Sequence, residues 1–191
     1  MALVTISATI LLALPALAVD WNLDNSHSHV GFKVRHMAIS KVKGSFADFA
    51  ATVTGEPGKP GTFSVEATVQ LATVDTGNEK RDDHLRSADF FDVEKYPTMT
   101  FKSTGVQMDG DEGKLTGELT LNGVTKPVTF DLEYAGQVND PWGNTRMGFA
   151  AETTIDRREF GLTWSKALEA GGLVVDNEVE IELEIELVQA K

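Results

Sequence analysis

Apolar and polar positions alternate with period two along most of the chain beyond residue 19. That pattern marks strands with one dry face and one wet face. Val30, Phe32, Val34 and His36 alternate with Gly31, Lys33 and Arg35. Phe63, Val65, Ala67, Val69 and Leu71 alternate with Ser64, Glu66, Thr68 and Gln70. The rule recurs at Leu115, Leu119 and Leu121, at Val128, Phe130, Leu132 and Tyr134, and at Met147, Phe149, Ala151 and Ile155. It is cleanest near the C-terminus, where Val179, Ile181, Leu183, Ile185 and Leu187 interleave with Glu180, Glu182, Glu184 and Glu186. A slip of one residue there would bury four carboxylates, so the register is strongly determined. The Glu series reads as a solvated outer face.

Turn signals divide these runs. Residues 55–61 (GEPGKPG) are a loop by composition, Asn122-Gly123 is a hairpin signal, and residues 139–144 (NDPWGN) are another turn. The expected strands, about eight in all, lie near 20–36, 42–54, 62–72, 97–108, 113–121, 126–138, 145–156 and 178–188. One short helix interrupts them. Thr76 and Glu79 have capping-box spacing, with Asn78 a second cap candidate, and Arg81, His84, Leu85 and Ala88 share a helical face. A helix so short and charged is not stable alone, so it is expected to cap a barrel end. Glu169-Ala170-Gly171-Gly172 reads as a flexible loop. A closed antiparallel barrel suits these elements better than a sandwich, because closure removes sheet edges and eight strands leave room for one small ligand.

Residues 1–18 differ in kind: they carry no charge and end in Ala16-Leu17-Ala18, a small-x-small cleavage pattern. They read as a secretory signal peptide despite the absence of Lys or Arg, with 19–191 as one exported domain. The chain has 191 residues, no cysteine and a formal charge of −12. Thiol chemistry and disulfides are therefore absent. The acidic balance argues against nucleic acid, and against docking on anionic lipid head groups through a basic patch.

Catalytic patterns are weak. His27 and His29 are spaced to share a strand face, but no metal site is expected, since no thiolate or HExxH pattern accompanies them. Asp82, Asp83 and His84 point different ways on a short helix. No nucleophile elbow, phosphate loop or dinucleotide fingerprint occurs, and no catalytic residue is assigned. The aromatics are more informative: ten Phe and three Trp, many on the apolar strand faces. They fill a core or line a cavity. Small partners at Ala67, Gly117 and Ala151 favour space.

Five segments together carry a family resemblance: residues 24–32 (DNSHSHVGF) with Arg35-His36 and Gly44-Ser45-Phe46, 81–92 (RDDHLRSADFFD), 96–101 (YPTMTF), 117–128 (GELTLNGVTKPV) and 155–162 (IDRREFGL). Over residues 20–188 the chain resembles the YceI family of lipocalin-like bacterial proteins. The resemblance implies an all-β, eight-stranded antiparallel barrel with one short capping helix. It also implies a bound long-chain amphiphile (polyisoprenoid, isoprenoid quinone or fatty-acid amide), frequent homodimers, and no cofactor beyond such a ligand. Carried onto the matching strands and helix, the expected ligand-binding residues are Phe32, Val34, His36, Phe46, Arg81, His84, Phe90, Phe101, Leu119, Phe149, Phe160 and Trp164. Two other readings compete. One is an enzyme acting on an isoprenoid or quinone with His36, His84 or Arg157 in the cavity. The other is an interaction module with a filled barrel.

Overall fold

A computed structural model describes residues 17–167 and 173–191. Nearly all of the signal segment and the loop at 169–172 lie outside the described residues. The strands are β1 (Val19–Leu23), β2 (His29–His36), β3 (Ser40–Phe46), β4 (Phe49–Gly55), β5 (Ser64–Gln70), β6 (Val74–Asp75), β7 (Thr98–Asp109), β8 (Glu112–Leu121), β9 (Val124–Asn139), β10 (Thr145–Asp156) and β11 (Val175–Gln189). Helix α1 spans Glu79–Arg86. Ladders join β4 to β5, β5 to β7, and then β7 through β11 in sequence order. β11 pairs on its far side with β2 along one half and with β1 along the other, and β1 returns to β4. The ring closes with eight strand positions, as alternation predicts.

Three of those positions are broken midway, which alternation does not reveal. β1 and β2 form one interrupted strand, as do β3 and β4, and β5 and β6. The first break is a turn built by Asp24, whose carboxylate accepts from Ser26 N at 3.1 Å and Ser26 Oγ at 2.6 Å. The other two breaks are stitched together: Asp48 N donates to Thr73 Oγ1 and Gln70 N to Asp48 O. Beyond the third break, β6 pairs only with β3 among the described residues. The sheet is thus open beside β7, and α1 with the segment after it fills the gap. Asn78 supplies the cap, accepting from Arg81 N at 3.1 Å. Asp82 is buried and accepts from Thr76 N and Oγ1, tying the helix to β6.

The core is the barrel interior. The apolar residues of β11 face in, and its Glu series faces out. That outer face is less purely solvated than expected: Glu182 pairs with Lys33, Glu180 with Lys41 and Glu186 with Arg146. At the end away from α1, Arg146 gathers Asp24 (2.8 Å), Asp140 (2.8 Å) and Glu186. This latch joins the β1–β2 turn, the β9–β10 turn and β11. Both aspartates sit well below the ordinary carboxylate range. The Ser26 hydroxyl and then Arg146 hold the charge on Asp24, and Arg146 and then Asn144 hold it on Asp140. A depressed native pKa contributes stability that is fully present above the unfolded value of about 3.9 and is lost as pH falls below it. The melting temperature is therefore expected to fall steeply from about pH 5 towards about pH 2. Arg146→Gln should start lower at the upper pH and fall less across the same window. Parallel slopes for the two proteins would exclude the latch as the cause.

Candidate functional site

Two apolar chambers occupy the barrel. The larger, about 150 Å³, lies on the latch side and is lined by Phe49, Phe63, Phe101, Phe130 and Phe149, aliphatic residues such as Leu115, Leu119, Ile185 and Leu187, and Ala51, Ala67 and Ala151. Thr100 is its one polar lining residue among those described. The smaller, about 90 Å³, lies under α1 between Phe32, Val34, Phe46, Leu85, Phe90, Phe91, Leu121, Val175 and Arg157. Val30, Met99 and Ile181 line both chambers and form the partition. Unpaired carbon-lined space of this kind stays dry and accepts apolar ligands. Each chamber is smaller than the roughly 300 Å³ at which ordinary ligand pockets begin. A long chain must therefore span both, displacing the partition, where the unbranched Met99 is the most adaptable member.

Small residues on the inner faces divide into two kinds. Ala67 and Ala151 leave space, as their size suggests. Gly117 does not: the Phe101 ring lies across it, and a Cβ there would meet ring carbons at 2.4 to 2.5 Å. Cross-strand packing of Phe101 on Gly117, and of Phe63 on Gly55, tilts rings along the wall instead of into the void.

The expected site residues distribute unevenly. Phe101, Leu119 and Phe149 line the larger chamber, and Phe32, Val34, Phe46 and Phe90 the smaller. Phe160 is fully buried beside them in the core. His36, Arg81, His84 and Trp164 are outside both linings. Arg81 holds its own loop, donating from Nε to Thr76 Oγ1 and from Nη2 to Thr76 O. His84 lies 2.9 Å from Asp89 and sets its ring edge-on to Phe90 and Trp164, each at 5.0 Å. These polar residues build the cap over the smaller chamber.

His27 and His29 do not share a strand face. The Asp24 turn ends β1, so His27 lies in the turn while His29 opens β2. Asp24, His27 and Glu186 do cluster, but Arg146 already supplies the cation among the two carboxylates.

Alternation misses two features. The partition is visible in pattern only, since Met99 and Ile181 are two inward positions among many. Arg157 falls in the family segment 155–162 and is a cavity candidate in the enzyme reading, but alternation does not show that it is a buried clamp. It is 3% exposed and lines the smaller chamber. Its guanidinium donates to Asp176 O (2.8 Å), Leu162 O (2.5 Å), Trp164 O (2.8 Å) and Val175 O (3.4 Å). Burial pulls its pKa below the ordinary arginine value, yet an arginine stays charged in a protein. The charge is thus held against these four carbonyls, and the surface Arg157 gives the smaller chamber is carbon.

The chain matches the YceI-like domain model over residues 21–187. It is 42% identical over 178 residues to Protein YceI of Escherichia coli O157:H7, covering 92% of this chain and 90% of that protein. The crystal structure of Burkholderia cenocepacia BcnA superposes with a TM-score of 0.75 at 25% identity, covering 86% of this chain and 99% of that one. A polyisoprenoid binding domain from Saccharophagus degradans, implicated in plant cell wall breakdown, shares the fold with a TM-score of 0.63 at 15% identity, covering 90% and 99%.

Proposed function

We propose that this chain, which belongs to the YceI-like family, is a binding protein that holds a long-chain amphiphile across its two chambers. The observation that carries the reading is the carbon lining, continuous on both sides of the Val30–Met99–Ile181 partition. Each methylene buried there contributes about 0.8 kcal/mol, so the tail supplies most of the affinity and selects by length and shape. Polyisoprenoids, isoprenoid quinones and fatty-acid amides all present such tails. Among the described residues, those facing the chambers include neither a nucleophile–base pair nor a pair of carboxylates, which favours a carrier role over turnover. Export through the 1–18 segment to the periplasm, and assembly as a homodimer, belong to the same proposal.

The test is direct. Purified protein is extracted with organic solvent and the extract analysed by mass spectrometry, beside native mass spectrometry of the intact complex. A stoichiometric long-chain amphiphile is expected. Recovery of none, together with no uptake of an added long-chain isoprenoid alcohol, would overturn the reading.

A further inference from the structure

The β2–β3 hairpin carries charge opposite to the rest of the chain. Between Asp24 and Asp48 there is no acidic residue, but Lys33, Arg35, Lys41 and Lys43 all fall there, in a chain of net charge −12. The register sets Lys33 opposite Lys43 and Arg35 opposite Lys41, a facing of like charges that destabilises a sheet. β11 neutralises only part of it, through Glu182 on Lys33 and Glu180 on Lys41. Arg35 and Lys43 are exposed and form no ion pair among the described residues. Overall acidity hides this patch, so the expectation that no basic surface exists does not hold locally.

The hairpin tip is apolar and strained. Met37 and Ala38 have φ of 52° and 61°, and Ile39 N donates to His36 O at 3.2 Å. This is a turn that Asn-Gly would fill at little cost and that these side chains enter against their preference. Its side chains point to solvent: Ile39 is 85% exposed and Met37 40%. Neither supports the core. The tip also adjoins the smaller chamber, because Val34 and Val175 line it, Val175 pairs with His36, and Met37 N donates to Val174 O. Trp142, 78% exposed at the opposite end, has no such company. Arg146, four residues on in the chain, is consumed by the latch.

We propose that this hairpin docks the protein on an anionic phospholipid surface, with Ile39 and Met37 entering the interface and the four cations meeting the head groups. The purpose of docking rests on the lipid-binding reading, since it brings the smaller chamber to a membrane where a tail is exchanged. Charge complementarity selects this occupant. An exposed apolar tip ringed by cations fits an anionic phospholipid interface, which offers negative head groups to the cations and an apolar layer beneath them to Ile39 and Met37. At physiological salt the Debye length is about 8 Å, so the acidic remainder of the barrel repels weakly once the tip is in contact.

The full chain is co-sedimented with vesicles of phosphatidylcholine alone and of phosphatidylcholine mixed with phosphatidylglycerol, at low and high salt. Binding is expected to the anionic vesicles and to fall with salt. The double variant Arg35→Gln, Lys43→Gln should bind about 30-fold more weakly, taking the usual contribution of each cation near an anionic surface. Ile39→Ser should also weaken binding, with melting temperature and isoprenoid uptake unchanged in both variants. Wild-type protein that ignores anionic vesicles, or variants that bind as wild type does, would overturn the proposal. So would sedimentation velocity showing that Ile39→Ser splits a dimer while vesicle binding persists, because the tip would then lie between copies. Failure to bind vesicles with uptake intact sinks docking alone, whereas failure of uptake sinks the ligand reading.

Discussion

Arg157→Met is expected to destabilise the barrel by about 4 kcal/mol, a large fraction of the roughly 5–15 kcal/mol that holds a domain folded. The guanidinium binds four backbone carbonyls, of Leu162, Trp164, Val175 and Asp176. It thereby clamps the segment after β10 onto the start of β11. Methionine keeps the unbranched apolar stem but leaves those acceptors unpaired in a buried site, and each buried unpaired group costs about 1–3 kcal/mol. Partial entry of water keeps the sum below the simple total. Arg157→Lys should recover less than half, because one ammonium cannot span the same fork of acceptors. Arg158→Met is the internal control. Arg158 is exposed and, among the described residues, pairs only with Asp156, so its loss should cost no more than about 1 kcal/mol. Urea unfolding followed by circular dichroism reads these differences as shifts in midpoint at constant slope. A loss below about 1 kcal/mol for Arg157→Met would refute the clamp.

Ala151→Phe is expected to cut affinity for a long-chain amphiphile by roughly 200-fold while leaving the fold intact. Ala151 faces the larger chamber from β10, between Leu132 and Leu183 in register. A phenyl ring there takes up space equivalent to about four methylenes of ligand, at about 0.8 kcal/mol each, and tenfold in affinity corresponds to about 1.4 kcal/mol. The ring enters an existing void of about 150 Å³, so overpacking should cost only a modest part of the usual 1–3 kcal/mol. Titration with a fluorescent isoprenoid, beside a thermal melt, separates the two effects. Unchanged affinity in a stably folded variant would place the ligand elsewhere.

Alternation was sufficient for the ring of eight strands and for most of its wall. Period two reports only which face is dry, and in a closed antiparallel barrel a dry face is an inner face. Phe101, Leu119 and Phe149 on one side, and Phe32, Val34 and Phe46 on the other, were legible for that reason. Polar residues were less so. The same chemistry that lets His84 or Arg81 meet a head group lets it bind a neighbouring loop. Arg81 turns to Thr76, and His84 to Asp89 and Trp164. Glycine misled in the same way: Gly117 reads as space along the strand, but Phe101, diagonally across the ladder and opposite Leu119, takes that space.

What the sequence determined by itself is therefore the set of local quantities: strand faces, hairpin signals, the single helix, the register of the Glu series and the acid-free stretch from Asp24 to Asp48. What only the tertiary structure decided depends on residues far apart in the chain. The second and third mid-strand breaks, the helix seated in the open side of the sheet, the partition of Val30, Met99 and Ile181 and the Arg146 latch join elements tens of residues apart, and the Arg157 clamp joins two segments across the loop before β11. One-dimensional periodicity contains no distance between such elements, because that distance is set by ring closure and side-chain packing.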